Sequence, residues 1–218
     1  MISLRMVGAE VSALSAAALS MPLRFVLEHE RFDPTASHPP LVLVHGFLGD
    51  PTNFLLLRRY LAGHGIRTFT SFSYGPRFDY PRLACRLGEV VETVCLATGA
   101  TEVDVVGHSL GGLVARYLVE MTSTNRVRRL VTLGAPYFAH PLPSQELAIF
   151  AASDPFIPAP HPLYGPYSRY RAERVVVVPE CGHWGLLYHR NVLRETARFL
   201  SAPSAELPAA PLALEAAS

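Results

Sequence analysis

From Leu41 onward, short runs dominated by apolar residues alternate with longer segments whose apolar positions recur at helical spacing. Leu41–Val44, residues 66–72, 103–106, 129–133 and 147–151, and Arg174–Val178 are short and rich in β-branched side chains, as strands buried on both faces require. Between them, Phe54, Leu57 and Leu61 share one helical face that ends at Gly63 and Gly65. A longer helix over about residues 80–97 stops at Gly99, another follows Ser109, and residues 184–200 read as a closing helix. This order predicts an α/β fold, a mostly parallel central sheet with helices on both faces, with functional side chains at the carboxyl ends of the strands.

The first 39 residues break the pattern and form a separate extension. Val7, Val11, Leu14, Ala18 and Met21 follow helical spacing in an alanine-rich stretch, and residues 22–29 alternate apolar and polar as an edge strand does. Three readings stay open for the helical part. It is a helix packed on the domain or lying on a membrane surface, a secretory signal with Arg5 as its basic start and Ala16 or Ala18 at the cleavage site, or a disordered leader. The uncharged run 11–23 falls short of the roughly 20 residues a bilayer core requires, which argues against a span. Residues 40–201 then make one domain, and 202–218, rich in Ala, Pro and Ser, a flexible tail.

Composition narrows the function classes. Half the residues are apolar and the formal net charge is +1, so no electrostatic footprint for nucleic acid is present. All 19 basic residues are arginine, which removes lysine nucleophiles and Schiff bases. Cys85 and Cys95 fall ten positions apart on one predicted helix, roughly 15 Å, too far for a disulfide. A bridge from either to Cys181 stays open, but three reduced, mostly buried thiols are the simpler reading and favour a reducing compartment, cytoplasmic or membrane-associated, with secretion the alternative.

The chemistry concentrates at Gly107-His108-Ser109-Leu110-Gly111, where a β-branched run leads through G-x-S-x-G into a helix. Such a turn holds a serine in a strained conformation at a strand tip, with glycines where side chains would collide across the bend. A serine hydroxyl at neutral pH needs a base, and the base needs an orienting acid. His183, on the loop after the last strand, is the candidate base. Asp154, just past the run 147–151, is the candidate acid, set against a plain turn-forming role before Pro155. Glu180 is the reserve, while Glu146, Glu173 and Asp104 sit at unsuitable ends of their strands. His108 is expected to be a packed, hydrogen-bonded side chain aimed away from the chemistry, and His140 and His161 could line the pocket mouth. The negative oxygen formed on attack needs two donors. The Leu110 N–H at the helix start is one candidate, and the Phe47 N–H in His45-Gly46-Phe47-Leu48-Gly49 is the other, each typically contributing about 3 kcal/mol. No metal or cofactor is expected, because the histidines lack ligand spacing.

With these motifs the chain resembles the α/β-hydrolase superfamily, and within it the small, lid-less bacterial lipases and esterases of lipase class 2. The resemblance runs from about Pro40 to Leu200. It rests on the two glycine motifs, on Val131-Thr132-Leu133-Gly134-Ala135-Pro136, on Ser153-Asp154 and on Gly182-His183-Trp184-Gly185-Leu186-Leu187-Tyr188. It implies Ser109 as nucleophile, Asp154 as acid, His183 as base, and Phe47 and Leu110 as oxyanion donors. About a dozen residues separate Pro136 from the next strand, so an open site with little or no cap is expected, and Tyr137 stands where relatives often carry a histidine. The expected activity is serine carboxylic-ester hydrolysis through an acyl-enzyme, on small-molecule or lipid esters of short to medium chain. Thioester hydrolysis, acyl transfer, or a non-catalytic binding protein of this fold are the alternatives, and peripheral membrane contact through the N-terminal segment is a further expectation.

Overall fold

A computed structural model describes residues 4–25, 30, 32–33, 35–76, 78–121, 126–136, 145–160 and 174–203. Six strands, β1 Leu41–Val44, β2 Phe69–Phe72, β3 Val103–His108, β4 Val127–Leu133, β5 Glu146–Ala151 and β6 Arg174–Val178, form one sheet in the order β2-β1-β3-β4-β5-β6. Every neighbouring pair is parallel. All residues of β1, β3 and β5 are buried, which is why these strands read as mostly apolar runs, with Asp104, His108 and Glu146 the buried polar exceptions.

Helices α2 Leu55–Ala62, α3 Tyr80–Thr98, α4 Leu110–Met121 and α5 Arg190–Ser201 cover the sheet. One core joins Leu57 and Leu61 of α2 with Leu193 and Phe199 of α5 over Leu43, Val131 and Ile149. The opposite core joins Leu87 and Val91 of α3 with Val114 and Leu118 of α4 over Val42 and Val105. α3 starts where the Asp79 side chain accepts the Arg82 N–H, and it stops at Gly99, whose φ of 72° lies in the left-handed region that glycine adopts without strain.

Register lines up the carboxyl ends of the strands. Val44 pairs with Phe72 and Gly107, Leu133 with His108 and Ile149, and Ala151 with Val178. The loops that leave this row carry Phe47, Ser109, Asp154 and His183.

Three expectations need correction. The strand expected over 66–72 begins only at Phe69, because the Ile66 N–H still closes the end of α2 on the Leu61 carbonyl. The closing helix is split: a 3-10 turn, Gly185–Leu187, precedes α5, and the chain is extended at His189, whose Nδ1 caps α5 by accepting the Asn191 N–H. Met21–Phe25 is a 3-10 helix where an edge strand was expected, and residues 26–29 of that expectation lie outside the described residues. Cys85 is exposed; Cys95 and Cys181 are buried, and all three are free thiols.

The N-terminal extension forms α1, Leu4–Ser20. Its buried face is Met6, Ala13 and Ala17, with Glu10 half-buried between them, and the Val7, Val11 and Leu14 stripe points outward. Ala13 and Ala17 on the inner face let the middle and end of the helix approach the loops beneath it closely. By length and composition alone, Arg5–Leu23 is long enough and apolar enough to cross a membrane. The shorter uncharged run had argued otherwise; the longer segment qualifies because only Arg5 and Glu10 interrupt it. The tail expected over 202–218 lies outside the described residues from 204 onward, as do Tyr137, His140, His161 and Glu173.

Candidate active site

Ser109 sits between β3 and α4 with φ 53°, in the left-handed region that costs a non-glycine residue roughly 1–2 kcal/mol. The surroundings enforce that turn. A Cβ on Gly107 would stand 2.6 Å from the Gly112 backbone, and one on Gly111 would run into the Val44 and His45 carbonyl oxygens. The Ser109 N–H donates to the Leu133 carbonyl at 2.9 Å, fixing the elbow to the end of β4.

The same end of β4 reaches the acid–base pair. Next to Leu133 is Gly134, φ 56°, whose Cβ position is 3.2 Å from His183 Nδ1 and 3.3 Å from Asp154 Oδ2. Those two atoms are themselves 2.6 Å apart, and both side chains are buried. Asp154 Oδ1 meanwhile accepts the Phe156 and Ile157 N–H groups at 2.8 and 2.9 Å. The turn-forming role and the acid's role are therefore filled at once, by different oxygens of one carboxylate. With three donors on two oxygens, the carboxylate has one orientation, and the Nδ1–H of a neutral His183 ring points at it. Nε2 is left with the lone pair.

The loop after β1 closes the other side. A Cβ on Gly46 would be 3.0 Å from Ser109 Cβ and from His108 Nδ1, so any larger residue would press on the elbow against which this loop lies. His45 anchors the loop: its Nδ1 pairs with the Gly46 carbonyl, its Nε2 accepts the Tyr74 N–H, and the Tyr74 hydroxyl donates to the His45 carbonyl at 2.6 Å. Burial lowers the His45 imidazole below its ordinary range, which suits a neutral ring that accepts at Nε2. Phe47 is half-buried and stacks on Phe78 at 4.2 Å. Leu110 opens α4, where the first amides have no carbonyl partner within the helix.

His108 departs from its expectation. It is packed, but against the site: its ring lies 4.8 Å from that of His183, and its Nε2 is 3.2 Å from the His183 carbonyl, so Nε2 carries the proton. Burial, reinforced by the neighbouring His183, pushes this imidazole down to about 3. A neutral His108 in the folded protein against an ordinary 6.5 unfolded means that the unfolded chain binds more protons below pH 6.5. Stability from this group is complete above 6.5 and drains away as pH falls toward 3. Urea titrations at pH 7 and pH 5 should differ by about 2 kcal/mol from this residue alone, and His108→Gln should remove that share of the difference.

The other acids are accounted for elsewhere. Glu146 is fully buried and paired with Arg116 at 2.7 Å, and it also receives the Thr132 hydroxyl. Arg116 passes on to the Ala135 and Pro136 carbonyls, bracing the turn that follows Gly134. Asp104 lies at the amino end of β3, bonded to Arg128. Glu180 is exposed, with φ 49°. Cys181 is no rival nucleophile, since burial, with Glu10 and Asp154 adding to it, pushes its thiol up to about 12. The sequence pointed to Ser109, Asp154, His183, Phe47 and Leu110, and all five lie on loops or a helix start at the carboxyl ends of the strands.

Residues 39–152 match the alpha/beta hydrolase fold. The chain belongs to the alpha/beta hydrolase fold family. Among curated proteins, this family member is similar to an sn-1-specific diacylglycerol lipase of Xenopus laevis, 29% identical over 115 residues that cover 49% of this chain and 35% of that protein. It is also similar to a triacylglycerol lipase of Pseudarthrobacter phenanthrenivorans, 32% identical over 111 residues that cover 47% and 34%. The match thus spans about a third of the length of these relatives. Among solved structures, a membrane phospholipase A described as a bacterial virulence factor superposes with a TM-score of 0.59 at 16% identity, covering 89% of this chain and 94% of that one.

Proposed function

We propose that this α/β hydrolase is a serine carboxylic-ester hydrolase working through an acyl-enzyme. The observation that carries the reading is the 2.6 Å contact between His183 Nδ1 and Asp154 Oδ2, packed on Gly134 next to the Leu133 carbonyl that anchors Ser109 in its left-handed elbow. Ser109 Oγ attacks the ester carbonyl while His183 Nε2 takes its proton. The oxygen turns negative against the N–H groups of Leu110 and Phe47, and His183 then hands the proton to the leaving alcohol. Water, deprotonated by the same imidazole, releases the acid and restores Ser109.

The lipase names of the curated relatives support a lipid or other small-molecule ester as substrate. So does the outward stripe of α1, where Val7, Val11 and Leu14 are each exposed by 44% or more. An apolar ridge of this kind suits peripheral contact with a lipid surface that carries the substrate.

A series of p-nitrophenyl esters from acetate to decanoate, set beside acyl-CoA thioesters, tests the proposal. The expected result is turnover of the oxygen esters, with kcat/KM highest for short to medium chains. Turnover of the thioesters alone would replace the substrate class, and inertness toward both would defeat the reading.

A further inference from the structure

The loop bearing His183 is gripped from outside the hydrolase domain. Glu10, at the middle of α1, sends its carboxylate onto the two amides that follow His183: Oε2 accepts the Trp184 N–H at 3.1 Å and Oε1 the Gly185 N–H at 2.6 Å. The partners are 174 and 175 positions apart in the chain. Glycines make the contact feasible. A Cβ on Gly182 would come within 2.8 Å of Glu10 Oε1, and one on Gly185 within 2.6 Å of the same atom. Both residues that flank the His183-Trp184 pair are thus bare where the carboxylate enters.

The same helix holds the loop on the other side of the elbow. Ser20, at the end of α1, is 3.2 Å hydroxyl to hydroxyl from Thr52, whose own N–H is capped by Asp50 just after the Phe47 loop. α1 therefore lies as a strap across the base's loop and the oxyanion loop.

Three constraints then act on His183. Asp154 holds its Nδ1, the His108 Nε2–H holds its carbonyl, and Glu10 holds the two amides that leave it. The first two fix the ring's partner and one end of its backbone. The His183 carbonyl and the Trp184 N–H share one peptide plane, which His108 and Glu10 hold from its two edges; on the next plane Glu10 holds the Gly185 N–H while the Leu187 N–H donates to the Trp184 carbonyl at 3.2 Å, and the bonds to the Glu10 carboxylate are charge-assisted, about twice as strong as neutral ones.

We infer that Glu10 is a positioning residue for ester hydrolysis, setting the reach of His183 toward Ser109 by fixing the Trp184–Gly185 amides from α1. The inference rests on the hydrolase reading above. Glu10 itself touches neither substrate nor reacting atoms, so its loss slows proton transfer without weakening substrate binding.

The test compares wild type, Glu10→Gln and Glu10→Ala on a short soluble p-nitrophenyl ester. Active sites are first counted by stoichiometric fluorophosphonate titration, so that rates are expressed per competent site. Because a small displacement of a reacting group can cost up to about 100-fold, E10A is expected to lose about 10- to 100-fold in kcat per site with KM within about twofold. E10Q, which keeps one acceptor oxygen of two, should lose about threefold to fivefold. A merely structural role predicts fewer titratable sites turning over at the wild-type rate, and that result overturns the inference, as does a raised KM at unchanged kcat. If E10A folds too poorly to titrate, E10Q decides alone, and a wild-type kcat per site in E10Q is then the contrary result. Failure of the wild type to hydrolyse the ester or take up the probe would sink the hydrolase reading itself, a separate outcome.

Discussion

Replacing Ser109 with alanine should lower ester turnover by about 10⁴-fold or more while leaving the fold intact. The chemical loss is large because, in the proposed mechanism, the Ser109 hydroxyl is the group that takes up the acyl chain. Residual hydrolysis would have to use water with only the oxyanion donors and substrate binding to help. The structural loss is small for a definite reason. Alanine carries the same Cβ into the φ 53° conformation, so the strain is the same, and the bond from residue 109 to the Leu133 carbonyl is made by the backbone. Purified S109A should therefore melt within a few degrees of wild type, and the activity comparison reads chemistry alone. Wild-type turnover in a well-folded S109A would reject the nucleophile.

Asp154→Asn should cost nearly as much, about 10⁴-fold in kcat, though it changes a single group. In the wild type, Oδ1 accepts the Phe156 and Ile157 amides and Oδ2 accepts from His183 Nδ1. An asparagine must keep its oxygen toward the two backbone N–H groups, because its NH2 group cannot accept from them. That leaves the NH2 facing His183. The imidazole can satisfy a donor only by presenting a bare Nδ1, which moves its proton to Nε2 and removes the lone pair that would accept the serine proton. kcat should fall with KM nearly unchanged, read from steady-state kinetics on a soluble ester. A loss under tenfold would mean that Asp154 does not set the tautomer.

Much of this arrangement was legible in the chain because burial and function leave different marks. β1, β3 and β5 are covered on both faces, so most of their residues are apolar and their positions stand out without any periodicity, although Asp104, His108 and Glu146 interrupt them. Ser109 was legible because its turn demands glycines at fixed distances, and those glycines meet backbone atoms that no side chain could replace. His183 and Asp154 were legible from chain order and strand ends.

The features that escaped are those set by packing between distant segments. Periodicity marked the Val7, Val11 and Leu14 stripe of α1, yet the buried face is the small-residue side, chosen because Glu10 has the Trp184 and Gly185 amides to meet there. Nothing local to Glu10 announces partners more than 170 positions away. The break before α5 escaped for another reason. Leu186 and Leu187 are both buried, as helix positions would be, and the interruption at His189 is a matter of backbone angle and a side-chain cap. Likewise, His108 was expected to turn from the chemistry, whereas its Nε2–H reaches the carbonyl of His183, a link visible only once β3 and the last loop are adjacent.

The most direct test of the whole account is to react the protein with a fluorophosphonate and locate the adduct by mass spectrometry of its peptides. One adduct per chain on Ser109, abolished in S109A and slowed by orders of magnitude in His183→Ala, is the expected result. Labelling that spares Ser109, or that proceeds at the wild-type rate without His183, would contradict it.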